Sequence, residues 1–197
     1  MSNMPSDERL RTRLEALADK VAGVDSSRHP ELVELHQRCV ALRNDLEPHM
    51  AKEERGLFPM IRDLSTAISP PNFHCGSVAH PISMLMSEHE QTGTLLQAMR
   101  KLTNGYRVPD DACASYRALC DGLAALEADT HLHIHKENNA LFPLSSNLNN
   151  GGHPPFEAAS TWQVVIGAVT RTLERVWPGA GSARICRCRR VPISWWC

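Results

Sequence analysis

Two short stretches of the sequence share one pattern of histidine, glutamate and apolar residues. In each stretch a glutamate follows a histidine by four positions and a Leu-Phe-Pro segment follows the glutamate; the members are His49, Glu53 and residues 57–59, then His133, Glu137 and residues 141–143. Residues four apart on a helix lie one above the other on the same face. Two such faces turned toward each other place two imidazoles and two carboxylates around one point. The repeat therefore predicts a two-metal site inside a helical bundle.

A further histidine, His89, lies between the two copies and completes the candidate ligand set. We expect the carboxylates of Glu53 and Glu137 to bridge two cations. The terminal ligands are then three imidazoles, those of His49, His89 and His133. This combination of imidazole and carboxylate suits iron, manganese or zinc. A single histidine–glutamate pair on a helix is more often an exposed pair or contains a satisfied core histidine, so the interpretation depends on the two copies and the added histidine.

The other histidines are weaker candidates. His131 and His135 stand two residues from His133, which turns them about 200° away on a helix, so we expect them to face solvent. His80 stands at the start of the predicted helix that carries His89. There it can cap the helix or contact a ligand without binding the metal itself.

The elements that must position these residues are helices. Apolar residues at helical spacing predict four of them, over residues 7–22, about 30–66, 80–104 and 109–143. Short loops join them. The fold class predicted is all-α, an up-and-down four-helix bundle occupying residues 7–143.

The second helix carries an apolar stripe that leads directly to the first ligand pair: Leu32, Leu35, Cys39, Leu42 and Leu46. Pro48 lies just before His49. Because proline lacks an N–H and crowds the carbonyl four residues earlier, we expect one loosened turn at this point.

The sequence changes character after Pro143. Residues 145–155 are polar and rich in glycine, which is typical of a linker. Residues 157–177 have helical periodicity and could form one more helix. The remainder combines cysteine, arginine and tryptophan without periodicity, so we predict a poorly ordered tail. The interpretation is a bundle followed by a C-terminal extension, residues 144–197.

Composition sets limits on location and partners. The chain has 197 residues and a formal net charge of -1, which gives no overall attraction to nucleic acid or to a membrane surface. It lacks an apolar run of about 18 residues, and its start does not resemble a secretory signal. The seven cysteines are scattered and odd in number, which argues against a disulfide framework. We expect a cytoplasmic protein, with Cys39, Cys113 and Cys120 as small core residues.

Taken together, the motifs resemble those of a known family. The segments that match are His49 to Glu53 with residues 57–59, residues 81–84 with residues 88–90, and His133 to Glu137 with residues 138–143. They are similar to the hemerythrin-like (HHE cation-binding) domain of the iron–sulfur cluster repair di-iron proteins, over residues 8–143. The resemblance implies a four-helix bundle that holds two non-haem iron ions, bridged by oxo or hydroxo as well as by the glutamates.

The same resemblance implies two further histidines near the N-terminus, and this chain departs from it there. Met4 and Asp25 stand at those positions, and the printed sequence has no histidine before His29. Asp25, through a carboxylate oxygen, or His29, four residues later, are the alternatives for filling the missing places. Otherwise open coordination positions are expected on one ion.

The resemblance implies a stress-response protein that assists repair of iron–sulfur clusters damaged by nitric oxide or oxidants. Its expected partners are dioxygen or nitric oxide at the metal centre and damaged iron–sulfur proteins, with neither nucleic acid nor membrane, in a monomer or homodimer. Two alternatives stay open. One is a carrier or sensor of dioxygen or nitric oxide without turnover, and the other is a bundle whose metal site is incomplete.

Overall fold

Four long helices form a ring in which each packs on two neighbours. The structure, a computed structural model, describes residues 6–67, 71–74 and 76–152, with side chains from residue 14 onward. In chain order the helices are α1 (Ser6–Asp25), α2 (Glu31–Lys52), α3 (Phe58–Thr66), α4 (Ala79–Leu102), α5 (Ala114–Lys136) and α6 (Phe142–Asn149). α1 packs on α2 and α5, and α4 packs on the same two helices. The predicted all-α, up-and-down four-helix bundle is confirmed.

Two of the long helices are prolonged by a wider, π-helical turn. The first turn, Glu53–Leu57, joins α2 to α3, and the second, Glu137–Leu141, joins α5 to α6. In both cases a proline follows, as Pro59 or Pro143, in the first turn of the short helix. Proline cannot donate to the preceding turn and its ring clashes with the carbonyl four residues earlier, which favours a widened turn there. Such turns are frequent at functional sites.

Pro48 does not loosen α2 as we expected. The helix stays α-helical from Glu31 to Lys52, and the irregular turn begins only at Glu53. Pro48 is exposed, so water can satisfy the carbonyl that loses its N–H partner.

The apolar stripes predicted from the sequence form the core. All five stripe residues of α2 are buried, and α5 contributes Tyr116, Leu119, Leu123 and Leu126. This core fills the half of the bundle nearest the α1–α2 and α4–α5 connections. A second apolar cluster fills the other half, with residues from both short helices and from the start of α4: Leu57, Phe58, Ile61, Leu64, Val78, Ile82, Leu85, Leu141, Phe142 and Leu148.

The ends of some elements differ from the sequence-based expectation. α6 continues to Asn149 and buries Ser145 and Leu148, so residues 145–149 are helical and are not part of the linker predicted over residues 145–155. Cys39 and Cys120 are buried, but Cys113 is exposed at the start of α5, which corrects its expected place in the core. The helix predicted over residues 157–177 and the tail beyond it lie outside the described residues.

No helix in the part of the chain that the structure describes is long and apolar enough to cross a membrane.

Candidate metal centre

The five residues predicted as ligands come together in one buried cluster. His49 and Glu53 come from the end of α2 and the turn after it, His89 from the middle of α4, and His133 and Glu137 from the end of α5 and its turn. Each offers one ligand atom, and these atoms lie within 4.8 Å of one another. All five side chains are at most 5 % exposed. The cluster separates the two apolar halves of the bundle.

The Glu53 carboxylate lies between two imidazoles. Its Oε1 is 3.0 Å from Nε2 of His49, and its Oε2 is 3.6 Å from Nε2 of His133. One oxygen therefore faces each histidine, which is the arrangement that a bridging carboxylate requires.

The Glu137 carboxylate occupies the facing position. Its Oε2 is 3.1 Å from Nε2 of His133 and 3.2 Å from Nε2 of His89. The Nε2 atoms of His89 and His49 are themselves 3.2 Å apart. All three imidazoles thus direct Nε2 toward the space between the two carboxylates.

The cluster contains more buried polar atoms than its own hydrogen bonds satisfy. Glu137 Oε1 and His133 Nδ1 are buried without a hydrogen-bond partner among the described residues, while Glu53 Oε1, Glu137 Oε2 and His133 Nε2 have only ion-pair contacts that lack hydrogen-bond geometry. Leaving such groups unpaired costs about 1–3 kcal/mol each, and more where the group is charged. Coordination to cations would satisfy these atoms, so the donor set fits a metal centre.

Electrostatics ties the histidines to the carboxylates. Burial alone lowers the pKa of His49, but the negative charge of Glu53, together with Glu88, outweighs burial and raises that pKa to about 10. At His133 burial again lowers the pKa, but the negative charges of Glu137 and Glu53 outweigh burial and raise that pKa to about 10. At Glu53 burial favours a higher pKa, but the neighbouring His49 and His133 prevail and hold it well below its usual range.

Two residues outside the cluster contact the Nδ1 atoms of His49 and His89, the ring nitrogens that face away from the carboxylates of the cluster. His49 Nδ1 is 2.9 Å from Glu88 Oε2, and the other oxygen of Glu88 accepts from Lys52. His89 Nδ1 is 3.0 Å from Asn138 Oδ1. With Nδ1–H donated in this way, Nε2 of both rings is left as the metal-binding nitrogen.

Sequence reasoning missed these supporting contacts. Glu88 and Asn138 each stand directly beside a ligand, at His89 and Glu137, and neighbours in sequence point away from each other on one helix. Glu88 supports a histidine on α2 and Asn138 one on α4, so each reaches across to another helix. A polar residue beside a ligand is the only available sequence signal.

Phe142 adds a ring stacked on His89, with centroids 5.8 Å apart and planes at 5°.

The structure does not bring Asp25 and His29 to the cluster, so neither completes the metal shell here. His29 precedes α2, and His49 lies 20 residues further along, which is about 30 Å at the rise of an α-helix. Asp25 is buried in an ion pair with Arg28. His29 contacts Asp111, with Nε2 3.1 Å from Oδ1. Both residues instead hold the α1–α2 and α4–α5 connections together.

Two of the three weaker histidine candidates lie where the sequence placed them. His131 and His135 are exposed, as expected from their rotation relative to His133. His80 is exposed in the first turn of α4, nine residues and about 13 Å along the helix from His89. The supporting position suggested for His80 is occupied by Glu88 and Asn138. Met4 lies outside the described residues.

These features define a class of protein: an all-α bundle with a buried histidine–glutamate cluster that can hold metal. The model of the hemerythrin family, described as the hemerythrin HHE cation binding domain, matches residues 7–145. The chain belongs to this family.

Several relatives carry the name iron-sulfur cluster repair protein. The chain is 37% identical to the protein ScdA of Staphylococcus haemolyticus over 123 residues, which are 62% of this chain and 53% of the relative. It is 40% identical to YtfE of Pectobacterium atrosepticum over 109 residues, 55% and 45% of the two chains. It is 42% identical to YtfE of Cronobacter sakazakii over 103 residues, which are 52% of this chain and 42% of the relative. The chain thus spans about half the length of these relatives.

Proposed function

We propose that His49, Glu53, His89, His133 and Glu137 hold two iron ions. The observation that carries this proposal is the convergence of five buried ligand atoms within 4.8 Å of one another. The oxygens of Glu53 face two different histidines, which supports a bridging role. Iron fits the mixed nitrogen and oxygen donors. Because two carboxylates leave positive charge on two divalent cations, an oxo or hydroxo bridge completes the balance.

We further propose that the chain assists repair of iron–sulfur clusters damaged by nitric oxide or oxidants. Support comes from the names of its relatives and from its membership of a cation-binding family. Iron held by these residues would supply redox chemistry and could bind a small molecule such as dioxygen or nitric oxide. The damaged iron–sulfur protein is the macromolecular partner in this proposal, which includes neither nucleic acid nor a membrane; the cytoplasm and a monomer or homodimer remain predictions.

The residues of this chain have separate tasks in that function. Glu53 and Glu137 supply the negative charge that makes a buried pair of cations tolerable. Glu88 and Asn138 hold the rings of His49 and His89 in the tautomer that binds through Nε2. The two apolar halves of the bundle limit the access of bulk water to the cluster.

The first experiment is reconstitution of the full chain with iron(II) without oxygen, followed by metal analysis and absorption spectroscopy. We expect close to two iron ions per chain, and bands of an oxo-bridged diferric centre after exposure to oxygen. Glu53→Ala and Glu137→Ala should each remove those bands, whereas Glu90→Ala, at an exposed position beside His89, should keep them. Iron well below one ion per chain, unchanged by the two substitutions, would overturn the proposal.

The repair function needs its own assay. Nitric oxide-treated iron–sulfur enzyme is incubated with the iron-loaded chain, and recovery of the client's cluster is measured by its absorption and activity. Recovery that disappears in Glu53→Ala supports repair. Reversible binding of nitric oxide without any recovery would instead favour the carrier or sensor.

A further inference from the structure

A cavity of about 290 Å³ lies at the end of the bundle that holds the α1–α2 and α4–α5 connections. It is bounded by the first turn of α2, the end of α4, the segment after α4 and the first turn of α5. Its lining includes Glu31, Leu102, Arg107, Val108, Asp110 and Tyr116. Glu31 stands 18 residues before His49 on α2, which is about 27 Å at the rise of an α-helix. The cavity is therefore separate from the metal centre.

Carboxylates outnumber cations in the described lining of this cavity. Glu31 and Asp110 are the two carboxylates, and the exposed Arg107 is the one cation. Asp111, beside the cavity, is paired with Arg28. Asp110 has no ion-pair partner in the part of the chain that the structure describes. A carboxylate without a partner of its own thus remains at the edge of the cavity.

The buried part of the lining is also in a negative electrostatic environment. Tyr116 is 2% exposed. Burial raises the pKa of its hydroxyl to about 12, and the negative charges of Glu31, Asp111 and Asp25 act in the same direction. The hydroxyl is consequently uncharged at neutral pH, and the surrounding carboxylates attract a cation and repel an anion.

The backbone N–H groups of the turn after α4 are already used within the turn. Gly105 N–H donates to the carbonyl of Arg100 at 2.7 Å, and Arg107 N–H donates to the carbonyl of Thr103 at 3.0 Å. Tyr106 N–H donates to Thr103 Oγ1 at 3.0 Å. Anion sites in turns depend on free backbone N–H groups. The cavity therefore offers oxygen acceptors for a cation rather than N–H donors for an anion.

The same turn has a fixed shape before any ligand arrives. Asn104 and Tyr106 have φ values of 48° and 62°, in the left-handed region that residues with side chains rarely adopt. The buried ring of Tyr106 holds this conformation from inside, with the guanidinium of Arg100 5.8 Å from its centroid. A wall that is already ordered lowers the entropy cost of binding.

From these observations we propose that the cavity binds a small organic cation, an ammonium group on an apolar body. The ammonium group donates to the carboxylates of Glu31 and Asp110. The apolar body packs against Leu102, Val108 and the ring of Tyr116. The volume of about 290 Å³ is at the lower limit for ligand pockets, which restricts the ligand to a single small ring or a short chain. This site does not depend on the proposed iron centre.

The test uses benzylammonium, with benzyl alcohol as the neutral and benzoate as the negatively charged compound of similar size. Each is titrated into the full chain and followed by calorimetry and by the NMR shifts of backbone amides. We expect one saturable benzylammonium site per chain, weaker at high salt, with shifts concentrated in the segments around residues 31, 102–110 and 116. Benzyl alcohol should bind at least about tenfold more weakly, because it lacks the charge-assisted hydrogen bonds. Benzoate should not bind.

Substitutions then assign the binding to the cavity. Glu31→Gln and Asp110→Asn should each weaken it about tenfold, the loss expected for one hydrogen bond to a charged group. Glu34→Gln, which removes an exposed carboxylate paired with Arg38 at 2.8 Å, should change it by less than about twofold. Val108→Phe should fill the cavity and abolish binding. Circular dichroism and thermal unfolding verify the fold of each variant, and the two lining carboxylate variants decide the matter if Val108→Phe does not fold.

Three results would overturn the inference. Absence of saturable benzylammonium binding at millimolar concentration would show that the cavity takes no organic cation. Equal binding of benzyl alcohol or benzoate would assign the cavity to another class of ligand. Binding that persists unchanged in Glu31→Gln and Asp110→Asn would place the cation elsewhere on the chain. None of these results bears on the iron centre, and failure of iron reconstitution would leave this site standing.

Discussion

The imidazoles of His49 and His133 are in the protonated, positively charged form at neutral pH when no metal is bound, because the pKa of each is raised to about 10. A metal ion needs the unprotonated ring. Metal binding at pH 7.5 should therefore release on the order of two protons per chain, and affinity should rise as the pH is increased from 7 to 9. Calorimetry in buffers of different ionisation enthalpy measures the release.

Two variants test that account at the level of single residues. His135→Gln changes an exposed histidine and should leave the number of released protons unchanged. His49→Ala should lower it. A proton count close to zero for the unmodified chain would show that the imidazoles are already neutral before the metal arrives.

The same residues make the metal-free fold sensitive to pH. An imidazole with a raised pKa stabilises the fold fully below its unfolded value of about 6.5, and this contribution is lost as the pH rises toward 10. Glu53 acts in the opposite sense: with its pKa lowered, its contribution is present above about 4.3 and is lost in acid. Urea unfolding of metal-free protein should show the highest free energy of unfolding between about pH 5 and 6.5.

Substituting the carboxylate provides the comparison for this pH profile. Glu53→Gln removes the main charge that favours protonated His49, so the decline of stability on the alkaline side should become shallower. An alkaline decline equally steep in Glu53→Gln would assign the pH dependence to other groups.

At the scale of elements, the packing of α1 on α5 depends on a missing side chain. A Cβ added at Gly122, on α5, would come within 2.5 Å of Leu14 Cδ2 on α1. Gly93, in the middle of α4, has nothing within 4 Å of the same added atom. Both glycines lie inside helices, where alanine is favoured by about 1 kcal/mol.

The two sites should therefore respond differently to one substitution. Gly93→Ala should raise the free energy of unfolding by about 0.5–1 kcal/mol. Gly122→Ala gains the same propensity but must displace Leu14, so its net effect should be smaller or unfavourable. Denaturant unfolding of both variants with the metal removed measures the difference. Equal stabilisation at both sites would show that Leu14 moves aside without cost.

At the scale of the whole molecule, the polar cluster divides the core into two apolar halves. The larger half contains α1 and most of α2 and α5, and the smaller half contains the short helices α3 and α6 with the start of α4. The layer between them holds the buried polar atoms of the histidine–glutamate cluster. Metal bound as proposed would tie α2, α4 and α5 together at this level.

Removing the metal should consequently loosen one half more than the other. Hydrogen exchange of chelated protein should show faster exchange in α3, α6 and the two π-helical turns, with α2 between Glu31 and Leu46 still protected. The melting temperature should fall as well, since ligands that bind only the folded state stabilise it. Glu53→Ala, whether or not metal is added, should resemble the chelated protein. Uniform acceleration across all helices would contradict a fold that opens from the metal-site half.

The sequence by itself predicted which five residues form the cluster, the helix class and most of the core. Helical periodicity is a local property, so His49 with Glu53 and His133 with Glu137 could be placed on inward faces, and the apolar stripes of α2 and α5 could be assigned to the core. The repeated Leu-Phe-Pro segments marked the same two sites.

Only the tertiary structure decided what lies between the helices. Glu88 and Asn138 act on histidines of other helices, and no sequence spacing encodes a contact across two packed elements. Asp25 and His29 were candidates from the family resemblance, but the length of α2 separates His29 from His49 by about 30 Å, and Asp25 pairs with Arg28 beside the α1–α2 connection. The unequal surroundings of the three imidazoles likewise arise from packing. Helical periodicity places each histidine on an inward face, but it does not specify which residue of a neighbouring helix the ring contacts.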